Sequence, residues 1–433
     1  MGEKEIRIQL RESAGKPLSD QALVQGSIDM ARAMGPLVLG RLHAEERSFL
    51  AALSRLVTDA PSRRFAEELC ERVLHNTEQP MENLRRLLAV AGGVPTFFSS
   101  MGRLRIKAAM MAARSAQQAV PAEVPRVFRS TFSEHLLFMQ PSRLNRRAES
   151  LGKEGIRLLF QPLHPHVFGE DGAREYAAAL EKMLSEQPHA GVVVQPWRLC
   201  PGLSPCSPGV GARALAEHLR KLIHAAVGRP LVVETRCSDT MAIIVEALKQ
   251  ALDSPDCDGA DVALMLPGYL RSSISILREL TDWARPRAER GALPLKVLLV
   301  KGNHLDAERR CSALYGTESQ LCATKTETDT CYTRLLNAAI NSPARVITPV
   351  VGTHELLHLC YAALRWVSSG REGMPPVCFT YGLGNHLARQ FARLGSPAML
   401  CATVAPDEPD STAPELLLMQ LVRELSRPEG FLM

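Results

Sequence analysis

From residue 156 onward, short apolar runs alternate with longer amphipathic stretches, eight times in succession. The runs fall at 156–160, 191–195, 231–234, 262–266, 297–300, 345–350, 377–380 and 399–403. They are apolar nearly throughout and rich in β-branched residues, as parallel strands buried on both faces require. The intervening helical patterns lie at 173–184, 212–226, 240–252, 272–285, 328–340, 354–366, 385–394 and 415–425. Eight such units in about 270 residues match the size of a (β/α)8 TIM barrel. An open doubly wound sheet would want a glycine fingerprint after its first strand, and none is present. The fold class expected is therefore α/β, a closed barrel.

Ahead of the barrel the pattern is different. Residues 1–18 read as a loose arm, and 21–119 carry apolar stripes at three- and four-residue spacing. Phe49, Leu53 and Leu56 form one such stripe, and Phe65, Leu69 and Val73 another. We expect an all-helical region over 1–142 and the barrel over 143–433. The stretch 103–114 is basic and amphipathic and reads as a solvated helix face. Apolar residues make up 46% of the chain and charged residues 22%, enough to bury a large core. A net charge of +5 over 433 residues is no nucleic-acid footprint. The charged N-terminus is not a signal peptide, and nothing approaches the about 18 apolar residues that span a bilayer. Eleven cysteines without a C-x-x-C motif read as buried thiols of a reduced, cytoplasmic protein rather than a disulfide frame or a structural zinc site.

Barrel chemistry belongs where strands run into the following loops. The residues placed there are His164, His166, Gln195, Glu234, Tyr269, Lys301, His304, Asp306, Thr353, His354, Tyr381, Asp407 and Glu408. The stretch LKVLLVKGNHLD (295–306) is the densest, a buried run ending in Lys301, Asn303, His304 and Asp306.

That stretch resembles the LVKGAYWD motif of proline dehydrogenases. Phe168-Gly169-Glu170 resembles the family's LGE, and Lys325 with Thr328-Asp329 its TRKxxTD. Gly352-Thr353-His354 falls on ATHN, Tyr381-Gly382-Leu383-Gly384 on LHGMG, and Leu421-Val422-Arg423 on LVRRL. The resemblance covers about 143–425, in order and at compatible spacing. It implies a barrel with FAD across the strand ends, taking a hydride from proline to give pyrroline-5-carboxylate. It implies cofactor contacts from Lys301, Gly302, His304, Lys325, Thr353 and His354, and substrate contacts from Arg423 and Tyr381. It further implies an amino-acid substrate, an aldehyde dehydrogenase partner, and peripheral membrane contact for quinone reduction.

The sequence departs from the family at several inner positions. Glu424 replaces the second substrate arginine, Leu298 the arginine near the flavin N5, Gln195 a lysine, Glu234 an aspartate and Pro267 a glutamine. His304 and Gln420 replace tyrosines. A carboxylate about 4 Å from a bound carboxylate costs about 4 kcal/mol at an effective dielectric of about 20. Two alternatives therefore stand beside proline oxidation. One is a catalytically inactive barrel acting as a scaffold or partner in proline utilisation. The other is a metal-dependent, amidohydrolase-like enzyme using His164, His166, His304 and His354.

Overall fold

A computed structural model of the chain describes residues 2–74, 78–113, 120–163, 169–302, 304–405 and 413–426. The chain opens with α1 (Glu3–Ser13) and α2 (Asp20–Leu39). The expectation of a loose arm over 1–18 is corrected here. Ile6 is fully buried and Leu10 nearly so, and the Gly15 amide donates to the Val367 carbonyl at 2.9 Å. One apolar pair at i, i+4 suffices to seat α1, although charged neighbours mask it in the sequence. α2 is capped by the Ser19 hydroxyl, which accepts from the Ala22 amide at 3.2 Å. Its buried face, Leu23, Met30, Met34 and Val38, joins the outer core of the barrel.

The helices α3 (Ala44–Thr58), α4 (Ala60–Leu69), α5 (Pro80–Val90), α6 (Ser100–Ala112) and α7 (Glu123–Thr131) enclose a separate, phenylalanine-rich core. Phe97 and Phe98 meet within it in a tilted contact, 4.2 Å between ring centroids. α4 continues directly into one π-helical turn, Cys70–Leu74. Around the expected boundary at 142/143 the two cores interleave along the chain. α1 and α2 contribute to the barrel's outer core, whereas Leu418, Met419 and Val422 of the last helix contribute to the phenylalanine core.

A two-residue strand, β1 (Leu137–Phe138), and helix α8 (Pro141–Lys153) lead into the barrel. Its units are β2 (Ile156–Pro162) with α9 (Gly169–Glu186), β3 (Gly191–Val194) with α10 (Pro196–Leu199) and α11 (Pro208–Ala225), and β4 (Leu231–Val233) with α12 (Ser238–Leu252). Then come β5 (Val262–Pro267) with α13 (Ser273–Glu289), and β6 (Leu295–Val300) with α14 (Leu305–Tyr315) and α15 (Lys325–Asn341). Last are β7 (Ile347–Gly352) with α16 (Leu356–Ser368), β8 (Val377–Thr380) with α17 (Asn385–Arg393), and β9 (Ala398–Ala405) with α18 (Ala413–Leu425). All eight expected strands are present, and no end differs by more than two residues.

Strands β2 to β9 are parallel and close through the β8–β9 pairing, so the barrel is complete. Side chains divide by strand parity. Leu159, Val193, Val232, Met265, Leu298, Val350 and Cys378 fill the interior. Leu158, Phe160, Val192, Val194, Val297 and Leu299 face the surrounding helices. β1 adds to β9 at Val404 and Ala405, beyond the point where β8 ends at Cys401. Gly382 lets the turn just before β1 approach. Its φ is +82°, and a Cβ there would run into the Glu134 carbonyl and lie 2.7 Å from the His135 Cα.

The helical region is tied to the barrel by a buried ion pair. Arg389 of α17 donates two hydrogen bonds of 2.8 Å to the carboxylate of Glu46 in α3. Asn385 adds a third at 3.0 Å. Burial alone would raise the Glu46 carboxyl, but these bonds and the His43 amide outweigh it and hold it at about 2. Among the described residues no helix is long and apolar enough to cross a membrane.

Candidate functional site

The carboxyl ends of the strands deliver their polar side chains in three groups. The first converges on Glu234, the residue after β4, which is 2% exposed. Its Oε2 accepts from Gln161 of β2 at 2.9 Å and from Gln195, after β3, at 2.8 Å. Its Oε1 lies 2.8 Å from His304 Nε2. His304 precedes α14 with φ +47°, the one described residue other than glycine in the left-handed region. Such strain persists only where surrounding contacts hold it. Here they are the Glu234 carboxylate and the indole of Trp197, edge-on at 5.4 Å between centroids. Arg236 lies over the same indole, 5.4 Å from the centre of the Trp197 ring.

The second group centres on Glu355, after β7. Lys301 has the parity of Val297 and Leu299, so it leaves β6 toward the helices rather than the barrel axis. It is 1% exposed and ion-pairs with both Asp329, at 2.5 Å, and Glu355. Lys325, at the start of α15, reaches the same two carboxylates at 3.0 and 2.7 Å. His358, one helical turn on from Glu355, bonds it as well. Burial would raise the Glu355 carboxyl, but hydrogen bonds from His358, Lys301 and Lys325 drive it well below the usual carboxylate range. Burial would lower Lys325, but its bonds to Glu355 and Asp329 raise it. Two lysines and two carboxylates thus neutralise one another.

The third group holds neutral side chains. His354 Nε2 accepts from the Thr380 amide at 3.1 Å, which places the proton on Nδ1. That Nδ1 is buried without a hydrogen-bond partner among the described residues. Burial, with His386 nearby, pushes His354 down to about 4, so the ring is uncharged at neutral pH. Thr353 is buried, and its hydroxyl accepts from the Glu355 amide at 3.1 Å. The Tyr381 hydroxyl accepts from Arg147 of α8 at 2.9 Å. Burial pushes that phenol up.

The structure brings Gln195, Glu234 and His304 together, and separately Lys301 and Lys325. Gly302 follows Lys301 at the end of β6. Arg423 stands elsewhere. It is 55% exposed and pairs with Glu67 and Glu71 of the helical region, at 3.4 and 3.3 Å. The start of its helix is anchored there too, through Glu415 and Arg129 at 2.6 Å. Tyr269 is buried, with no partner for its hydroxyl among the described residues. Asp306 faces Arg309 at 4.0 Å. His164, His166, Phe168, Asn303, Asp407 and Glu408 lie outside the described residues.

Sequence reasoning missed Gln161, Arg147, Glu355 and His358. Glu355 and His358 carried a usable signal, two polar residues at i, i+3 opening an otherwise apolar helix. Among the described residues, three groups have metal-ligand spacing, and none includes His304 or His354. A cavity of about 550 Å³ lies among α3, α6 and α7, lined by Phe49, Arg55, Phe98, Met101 and Glu134.

Comparison with known proteins follows this geometry. The model of the family described as proline dehydrogenase matches residues 144–416. No curated protein sequence matches significantly. Among solved structures, proline utilization A (PutA) from Bdellovibrio bacteriovorus, inactivated by N-propargylglycine, superposes with a TM-score of 0.71 at 13% identity. That match covers 95% of this chain and 42% of the other. PutA from Corynebacterium freiburgense gives 0.63 at 22% identity, over 70% of this chain and 32% of that one. PutA from Bradyrhizobium japonicum gives 0.60 at 18%, over 99% and 45%. The chain thus spans less than half the length of each of these solved structures, which share its fold.

Proposed function

The chain belongs to the proline dehydrogenase family, whose model spans more than half of it, and from that premise we propose a proline dehydrogenase-like barrel that no longer oxidises proline and serves proline utilisation as a partner protein. The observation that carries this reading is the carboxylate of Glu234, buried at the strand ends and held by Gln161, Gln195 and His304.

The described residues at the strand ends do not fit FAD. The dinucleotide brings two phosphate charges, and its reduced ring gains another, so the site needs cations with open valence. Lys301 and Lys325 are already neutralised by Asp329 and Glu355. Leu298, standing at the family's arginine position, packs into the apolar barrel interior. The substrate side is equally depleted. Arg423 is turned to Glu67 and Glu71, and its neighbour Glu424 would repel a bound carboxylate.

A second reading, FAD-dependent oxidation of proline or a related imino or amino acid, rests on the unpartnered Nδ1 of His354. It rests also on the family pattern kept at Lys301-Gly302, Lys325 and Thr353-His354. The partner in the first reading is an aldehyde dehydrogenase acting on glutamate semialdehyde. It is supported by the length of the PutA structures, one of them described as bifunctional. A cytoplasmic location belongs to the same proposal.

The test is proline-dependent reduction of an artificial acceptor by the full chain, purified and supplied with excess FAD. The expected result is no turnover above the protein-free control. Turnover at ordinary enzyme rates, about 1 s⁻¹ or faster, overturns the proposal in favour of the second reading.

A further inference from the structure

We infer that Cys237, Asp239 and Cys311 form a binding site for one zinc-class divalent cation, which pins α14 to the start of α12. Cys237 is the residue before α12 and is 3% exposed. Asp239 is the second residue of that helix, and Cys311 lies on α14. One ligand atom from each lies within 4.8 Å of the other two. Around a single tetrahedral zinc, with bonds of about 2.3 Å to sulfur and about 2.0–2.2 Å to oxygen, donors sit about 3.5–4 Å apart. The three side chains are therefore near ligating distance before any ion enters.

An independent observation points to an occupant. Asp239 Oδ2 is buried and has no hydrogen-bond partner among the described residues. A buried polar atom without a partner costs about 1–3 kcal/mol, and such atoms call for a missing water or ion. The Glu308 carboxylate, which holds the adjacent Ser238, adds a second negative charge beside Asp239, which a cation offsets and a water does not.

Two thiols and one carboxylate make a soft donor set, suited to zinc rather than to magnesium or calcium. Binding releases the protons of the two thiols to solvent, because the thiolate is the ligand. A water completes the fourth position.

The other two groups of suitable spacing do not compete. Asp329, Glu355 and His358 already hold the ammonium groups of Lys301 and Lys325. In the group of His224, Asp256 and Cys257 the thiol is buried, but His224 and Asp256 are about half exposed.

The consequence for the barrel lies in α14. Glu308 of that helix already bonds the Ser238 amide at 2.6 Å and its hydroxyl at 2.7 Å, at the start of α12. His304, which meets Glu234, immediately precedes α14. An ion between Cys237 and Cys311 adds a second pin to the same joint. The inference does not depend on whether the barrel oxidises proline.

The experiment is cobalt(II) titration of the full chain, purified under reducing conditions and stripped with chelator. Thiolate-to-cobalt charge transfer is read in the near ultraviolet, and zinc is then added in competition. The expected result is a band that saturates at one cobalt per chain and is bleached by zinc. Cys237→Ser and Cys311→Ser lose it, and Asp239→Asn weakens zinc binding about tenfold or more. Cys206→Ser, at an exposed cysteine, keeps it. If either serine variant fails to fold, the wild-type titration and the Cys206→Ser control still decide. Absence of the band from the reduced wild type overturns the inference, as does a Cys237–Cys311 disulfide in the protein as isolated.

Discussion

Replacing Glu46 with glutamine removes the charge that joins α3 to α17 while keeping the side chain's shape. In the wild type this carboxylate is 1% exposed and takes both 2.8 Å bonds from Arg389. Its ionisation at about 2, against an ordinary 4.5, corresponds to about 3 kcal/mol of folding stability at about 1.4 kcal/mol per pH unit. Breaking a buried pair from one side costs about 3–5 kcal/mol. The second bond of Arg389, to Glu154 at 2.9 Å, keeps the expected loss at the lower end, about 3 kcal/mol. The sign of the pH dependence follows. A carboxylate depressed on folding stabilises fully above its unfolded value and loses that contribution as pH falls toward its folded value. The wild-type advantage over Glu46→Gln is therefore constant near neutrality, shrinks by about 1 kcal/mol by about pH 4, and is nearly gone by about pH 2. Urea unfolding of both proteins at about pH 7 and about pH 4, followed by far-ultraviolet circular dichroism, reads this directly. A difference below about 0.5 kcal/mol at neutral pH, or one that does not narrow on acidification, refutes the reasoning.

Other outcomes follow from the same structure. Glu355→Gln leaves Lys301 buried with only Asp329 as a full counter-charge and is expected to cost about 3 kcal/mol or more in denaturant unfolding. Gly382→Ala forces a Cβ against the backbone of Glu134 and His135 at a positive φ. It is expected to destabilise by about 1–3 kcal/mol, read as a fall in thermal midpoint. Arg423→Ala removes only exposed pairs and is expected to change stability by less than about 1 kcal/mol. A larger loss in that variant would show a role beyond the Glu67 and Glu71 contacts.

The barrel was legible because parallel strands need apolar residues on both faces, and runs such as 231–234 and 297–300 leave no other reading. Features resting on one or two contacts were hidden. α1 is held by Ile6 and Leu10 amid charge, and β1 has two residues. The strand-end residues Gln195, Glu234 and His304 could be named singly, but their convergence exists only once β3, β4 and β6 close into one ring. The pairing of Lys301 with Glu355 spans 54 positions, and no local pattern announces it. Arg423 shows the limit from the other side. A motif on the last helix states its chemistry, but which surface it faces is decided by the packing of Leu418 and Val422 on the phenylalanine core.

The loss of flavin binding is read from Lys301 and Lys325, whose charges are spent on Asp329 and Glu355. Adding the chelator-stripped, full-length protein to FAD and following flavin absorbance and fluorescence tests it most directly. The account predicts a colourless protein and a flavin signal unchanged through excess protein. A saturable change at one flavin per chain, or a yellow protein as purified, contradicts it.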